Sequence, residues 1–178
     1  MLRYLVQAPP DPRFPNEKAH DVDLAFGLGL SPTVWRAMRE RFGIPWIVEY
    51  YSASEATVSI LNSNKNDRGV GKVAHRGSLM RSRWFGDSTF YIVRANLESG
   101  ELLRDPKTGF CMQTRPGEVG ESICRILPPV QRSHDYVGEG GSEATEKKIL
   151  RNVFEKNHEF FRLGDAMVMV SRHMQRRQ

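Results

Sequence analysis

The spacing of apolar positions changes along the chain and divides it into stretches of different kinds. VDLAFGLGL (22–30) is almost continuously apolar and ends in glycines, which predicts a buried strand running into a tight turn. In SPTVWRAMRERFG (31–43), Trp35, Met38 and Phe42 recur at three- and four-residue spacing, the period of one helix face. Ser31 stands where it can cap that helix, Pro32 suits the first turn and Gly43 suits the stop. IPWIVEYY (44–51) is a second short apolar run and predicts a second strand. Strand, helix and strand over 22–51 favour a parallel pair, because parallel neighbours need a crossover between them.

After Thr57 the period falls towards two. Segments such as STFYIVRAN alternate, and turn signals interrupt them at NSNKNDRG, ESGE, DPKTG and RPGEVGE. Antiparallel hairpins are therefore expected from about 57 to 127. LPPVQRSHDYVGEGG reads as a loop. SEATEKKILRNVFEKN reads as a second helix at about 143–156, capped by Ser142, with Ile149, Leu150, Val153 and Phe154 on one face. HEFFRLGDAMVMV is expected to close the chain as two short strands separated by Gly164–Asp165. The proline-rich stretch 9–23 reads as a surface loop or linker. This pattern separates an α/β piece at 1–56 from a β-rich piece at 57–178.

Composition narrows the class. The 178 residues are 39% hydrophobic and 26% charged, a soluble balance with enough chain for a sizeable core. No apolar run approaches the roughly 18 residues that span a bilayer, and the first residues show no signal-peptide pattern. Two cysteines, Cys111 and Cys124, are too few for a disulfide scaffold and fit no metal spacing, so two buried thiols are expected. The five histidines show no ligand spacing, and no GxSxG nucleophile motif is present. The net charge of +5 includes a basic, aromatic stretch with Arg76, Arg81, Arg83, Trp84 and Phe85. Such a patch can hold nucleic acid or phosphate, but no helix-turn-helix, RNA-recognition or zinc-finger pattern accompanies it, and a solvated loop is the plainer reading.

Candidate chemistry concentrates in EYYSASEAT (49–57), at the expected carboxyl end of the second strand, where open α/β sheets place ligands. A ring there can stack on a flat heterocycle, a hydroxyl can bond phosphate, and a carboxylate can hold Mg²⁺ beside phosphates. A capped turn with its rings packed inward is the structural alternative. Gly27 and Gly29 in AFGLGLSP permit close approach of a ligand to the backbone, or simply make a tight turn. Asp165 in RLGDAM can accept hydrogen bonds from ribose hydroxyls, or serve as a turn aspartate.

Taken in order, LAFGLGLSPTVWRAMRERFGI, IVEYYSASEATVSILN, RDPKTGFCM, RPGEVGE, DYVG and ATEKKILRNVFEKNHEFFRLGDAMV resemble one family across nearly the whole chain. It is the fatty acid transport proteins, or very-long-chain acyl-CoA synthetases, of the adenylate-forming superfamily, with a fungal flavour. The resemblance implies the later part of an adenylate-forming N-terminal domain: a strand–helix–strand unit followed by a distorted antiparallel β-barrel. It implies a ligase that uses ATP and Mg²⁺ to convert a fatty acid to acyl-adenylate, then coenzyme A to take the acyl group. By position, Gly27, Leu28 and Gly29 match the turn lining adenine and the acyl carbonyl. Glu49, Tyr50, Tyr51 and Ser52 fall in the nucleotide motif, with Tyr51 the ring that stacks on adenine. Ser54 and Glu55 are the implied catalytic pair, Ser54 at phosphate and Glu55 on Mg²⁺. Asp165 matches the aspartate on the ribose hydroxyls.

Ser52 and Ala56 stand where the family usually has glycine. The family's glycine-rich phosphate loop and its lysine-bearing C-terminal domain have no counterpart in these residues. A middle fragment, inactive by itself, is therefore expected, with the apolar face of the VDLAFGL strand uncovered. The alternative is a non-enzymatic remnant that binds acyl chains or a protein partner. The implied partners are fatty acid and nucleotide, not nucleic acid. The implied location is membrane-associated (endoplasmic reticulum, peroxisome, lipid droplet or plasma membrane) through segments other than these.

Overall fold

The computed structural model describes residues 2–53, 58–65, 67–74, 89–126 and 141–170. They fall into two compact units, the first drawn from residues 1–52 and 59–85, the second from 53–58 and 86–178. The basic stretch around Arg76, Arg81 and Arg83 lies outside the described residues, as do Ser54 and Glu55.

In the first unit, helix α1 (Leu2–Gln7) precedes β1 (Leu24–Leu28), α2 (Pro32–Glu40), β2 (Trp46–Ala53) and β3 (Val58–Asn64). The sheet order is β1-β2-β3. As the crossover implied, β1 and β2 are parallel, with Leu24 opposite Trp46 and Leu28 opposite Tyr50. β3 returns antiparallel to β2 and so extends this first sheet.

The expected caps of α2 are both present. Ser31 is extended and its Oγ accepts from the Val34 N–H at 3.3 Å, satisfying one of the donors that a helix start leaves open. At the other end the Gly43 N–H donates to the Arg39 carbonyl and the Ile44 N–H to the Met38 carbonyl, a glycine stop. The apolar face of α2 closes the core: Trp35 and Met38 are almost fully buried with Ala25, Phe42, Ile44 and Ile47. Leu2 and Val6 of α1 pack on the same cluster, a helix that the sequence pattern did not single out. The proline-rich stretch is tied down by Arg41, which donates to both oxygens of Glu17 at 2.6 and 2.5 Å and to the Val6 and Ala8 carbonyls. That guanidinium holds the Glu17 carboxyl below its ordinary pKa.

Only one face of β1 is covered. Ala25 is buried under α2, whereas Leu24, Phe26 and Leu28 are 41%, 53% and 63% exposed. Trp46 and Leu61 are exposed too. The uncovered face expected for the VDLAFGL strand is thus present.

The second unit contains β4 (Phe90–Val93), β5 (Val119–Arg125), α3 (Gly141–Lys148), β6 (Ile149–Arg151) and β7 (Glu159–Val168). Its sheet has the order β4-β5-β7-β6, antiparallel throughout. Between β4 and β5 the chain makes two tight reversals, bridged at Ala95 with Leu102 and at Arg104 with Cys111. Each is an Asx turn: Asn96 Oδ1 accepts from the Glu98 and Ser99 N–H groups, and Asp105 Oδ1 from those of Lys107 and Thr108. These are the ESGE and DPKTG signals.

Two elements differ from the sequence reading. The second helix stops at Lys148, and Ile149–Arg151 leave it to pair with β7. Asn152 and Asn157 then take φ of 54° and 64°, a conformation that asparagine tolerates better than most side chains. Val153, Leu150 and Phe154 still reach the core, where Tyr91, Phe154 and Phe160 pack with ring centroids 4.9–5.6 Å apart. Helix periodicity therefore identified the buried side chains but not the backbone carrying them. Ser142 lies inside the helix, which starts at Gly141. The second difference is β7, which is one strand and not two. Gly164, at φ 79°, lets it bulge, and the register moves from Glu121 opposite Ala166 to Ile123 opposite Arg162.

Cys111 and Cys124 are free and buried, as expected. Burial raises both thiols, Cys124 to about 11. Since the thiolate is the nucleophile, neither should react with a disulfide reagent at pH 8 in the folded chain, and both should react in denaturant. Rapid native labelling of Cys124 would contradict its placement.

Candidate functional site

The parallel register of β1 and β2 places the two motif stretches next to each other. Gly27 lies opposite Glu49 and Leu28 opposite Tyr50, so the turn that follows β1 sits beside the carboxyl end of β2. This end of a parallel pair is where α/β sheets hold ligands.

The turn is built by glycine. Gly29 has φ 62°, which side chains with a Cβ rarely adopt, and the space a Cβ would enter there is open. At Gly27 a Cβ would stand 2.7 Å from the Leu30 side chain and 3.2 Å from Leu2, so this position is small because of packing. Leu28 is exposed at the strand end.

Glu49 is the unexpected member. It is 5% exposed, and both its carboxylate oxygens lie 3.1 Å from the Leu30 N–H. The Gly29 N–H donates to it as well. Burial pushes its pKa up, and the two backbone donors pull in the other direction. Tyr50 takes the opposite face, its ring 5.5 Å from that of Phe26. The hydroxyls of Ser52 and Ser59 hydrogen-bond to the Tyr50 phenol and hold its pKa below the ordinary value. Tyr51 and Ser52 are half-buried on β2, in register with Ile60 and Ser59 of β3.

The first unit thus gathers Gly27, Leu28, Gly29, Glu49, Tyr50, Tyr51 and Ser52. Asp165 belongs to the second unit, on β7, where it is exposed beyond the Gly164 bulge. Its carbonyl accepts from the Ser122 Oγ at 3.0 Å, which fixes the bulge. Ser54 and Glu55 fall outside the described residues. Among the described residues no group of His, Cys, Asp and Glu side chains is placed to hold a metal ion, and no helix is long and apolar enough to cross a membrane.

Sequence reading missed one polar device beside Asp165. Arg162 donates to both oxygens of the buried Glu121, at 2.7 and 2.5 Å, and to the Gly100 carbonyl at 2.7 Å. A cavity of about 460 Å³ opens here, with Lys147, Lys148, Gly164 and Ala166 on its walls. Arg162 is committed to protein partners and ties the turn at Gly100 to β5 and β7. Nothing in the spacing of RPGEVGE and FFRLGD announces that pair; only the bulged register brings Arg162 to Glu121.

No family model matches the chain. Curated proteins do. It is 38% identical over 168 residues to isopenicillin N epimerase component 1 of Hapsidospora chrysogena, covering 94% of this chain and 26% of that one. It is 32% identical to the very long-chain fatty acid transport protein of Saccharomyces cerevisiae, covering 94% and 24%. With the human long-chain fatty acid transport protein 3 the identity is 34% over 171 residues, covering 94% and 22%. The chain therefore spans about a quarter of the length of these curated relatives.

Proposed function

We propose, for a chain whose sequence is similar to a segment of the fatty acid transport proteins over nearly its whole length, that it carries the nucleotide-holding part of an ATP-dependent, acyl-activating protein. The observation that carries this reading is the parallel register that sets the Gly27–Gly29 turn beside Glu49–Ser52 at one strand end. Two features support a place for a flat heterocycle: the turn is open at Gly29, and β2 carries two tyrosines, Tyr50 and Tyr51, at this end.

In this reading Tyr51 stacks on adenine, the Gly27–Gly29 backbone borders it, and Asp165 accepts from the ribose hydroxyls. Ser54 bonds phosphate, and Glu55 holds Mg²⁺, a hard cation that takes oxygen ligands beside phosphates. ATP supplies the phosphoryl centre at which a carboxylate is activated, and coenzyme A is the thiol co-substrate. The protein's contribution is to orient the nucleotide and to offset charge on phosphate. Fatty acid is the substrate acid, and membrane association comes with the longer protein. The 38% identity to a protein named for isopenicillin N epimerisation favours a second reading on one point, that the activated acid is not a fatty acid.

A segment exchange tests this. The corresponding stretch of the S. cerevisiae relative is replaced by these 178 residues, and pyrophosphate release is followed with ATP, coenzyme A and a long-chain fatty acid. The exchanged protein should release pyrophosphate within about tenfold of its parent, and Glu55→Ala should abolish it. The 178 residues alone should release none. An exchanged protein that is folded and inert, or indifferent to Glu55→Ala, would sink the proposal; activity restored only with a non-fatty carboxylic acid would select the second reading.

A further inference from the structure

Glu49 is a carboxylate buried in the sheet with no cation to pair with: among the described residues, no Lys, Arg or His forms an ion pair with it. Burying a charge without a counter-ion is costly unless hydrogen bonds replace the lost water. Here the replacement is the turn itself, through the N–H groups of Leu30 and Gly29. The carboxylate also lies just before the first turn of α2, where the helix dipole favours negative charge.

We infer that Glu49 is a positioning residue that sets the conformation of the Gly29–Leu30 turn for nucleotide without touching the nucleotide itself. Both its oxygens lie 3.1 Å from the Leu30 N–H, and it is buried, 5% exposed. A trans peptide directs its carbonyl opposite to its N–H. With the Leu30 N–H aimed inwards at Glu49, the Gly29 carbonyl is aimed away from it. That carbonyl is an acceptor suited to a donor such as the exocyclic amino group of adenine. Remove the carboxylate, and two inward N–H groups lose their partner, which a buried backbone rarely tolerates. The turn then has reason to rotate, and Gly29 gives it the freedom to do so. The inference deepens the nucleotide reading above and rests on it.

The test uses the full 178-residue chain, AMP as the probe, and two readouts: AMP affinity by calorimetry and amide hydrogen exchange at Gly29 and Leu30. In the parent, AMP binds and the Leu30 amide is protected. Glu49→Gln is nearly isosteric, but it removes the charge and replaces one acceptor oxygen by an NH₂ donor facing the inward N–H groups, and should weaken AMP at least fivefold and speed Leu30 exchange at least tenfold. Ile47→Val, a cavity on the same strand, is the structural control and should leave AMP affinity within twofold. The inference is overturned if Glu49→Gln binds AMP like the parent, if Ile47→Val weakens AMP as much, or if the Leu30 amide is unprotected in the parent. The last readout needs no variant and decides the matter should Glu49→Gln fail to fold. A parent that binds no AMP while its Leu30 amide is protected is a different failure, since it overturns the nucleotide reading on which this inference rests.

Discussion

Trp35→Ala is expected to destabilise the first unit by about 3–5 kcal/mol, the range for truncating a buried large aromatic. Trp35 is fully buried, the largest such side chain in the chain's described core, and it sits between α2 and the covered face of the sheet. Removing it leaves a cavity bordered by Val34, Met38 and Ile47, which cannot collapse without moving the helix. The loss is large against the ~5–15 kcal/mol that a whole domain commands. This unit also has little reserve, because Leu24, Phe26 and Leu28 contribute scant burial. Trp35→Phe should be much milder, below about 1.5 kcal/mol. It keeps most of the ring and deletes an indole N–H that has no hydrogen-bond partner among the described residues. Urea titration followed by far-ultraviolet circular dichroism measures both. A Trp35→Ala cost under about 1 kcal/mol, on the scale of a surface substitution, would mean that α2 does not seat on this sheet as described.

The first unit was largely legible in the sequence because its signals are local and mutually consistent. Ser31, Pro32 and Gly43 bracket α2, and the crossover makes β1 and β2 parallel with no other information. The turns at Asn96 and Asp105 were legible for the same reason: each aspartate or asparagine bonds its own neighbouring backbone. The stretch around Ile149 was not. Its apolar residues fall at helical spacing, yet pairing with β7 at long range overrides that local preference. The single β7 was hidden likewise, since Gly164–Asp165 reads as a turn until β5 is beside it to stabilise a bulge.

At the candidate site, sequence reading named the stretch that the strand register brings beside the Gly27–Gly29 turn. It named Glu49 together with its neighbours as a nucleotide residue. Its commitment to the Gly29–Leu30 turn depends on which face of β2 it occupies, and only the strand register shows that. The same holds for Arg162 and Glu121, which are 41 residues apart in the chain and meet across a bulge. Resemblance to the fatty acid transport proteins was carried by motif order along the whole chain and is borne out by matches over 94% of it, fungal relatives included.

The most direct measurement is of nucleotide binding, as the heat of titrating ATP into the 178-residue chain with and without Mg²⁺. The parent should bind. Tyr51→Ala and Asp165→Ala should each weaken binding at least tenfold, about 1.4 kcal/mol or more, because the proposed reading makes one the stacking ring and the other the ribose acceptor. Glu55→Ala should weaken it only when Mg²⁺ is present, since the proposed reading has it hold the metal. ATP binding that is absent, or that all three variants leave unchanged, would contradict the assignment of this strand end and Asp165 to a nucleotide.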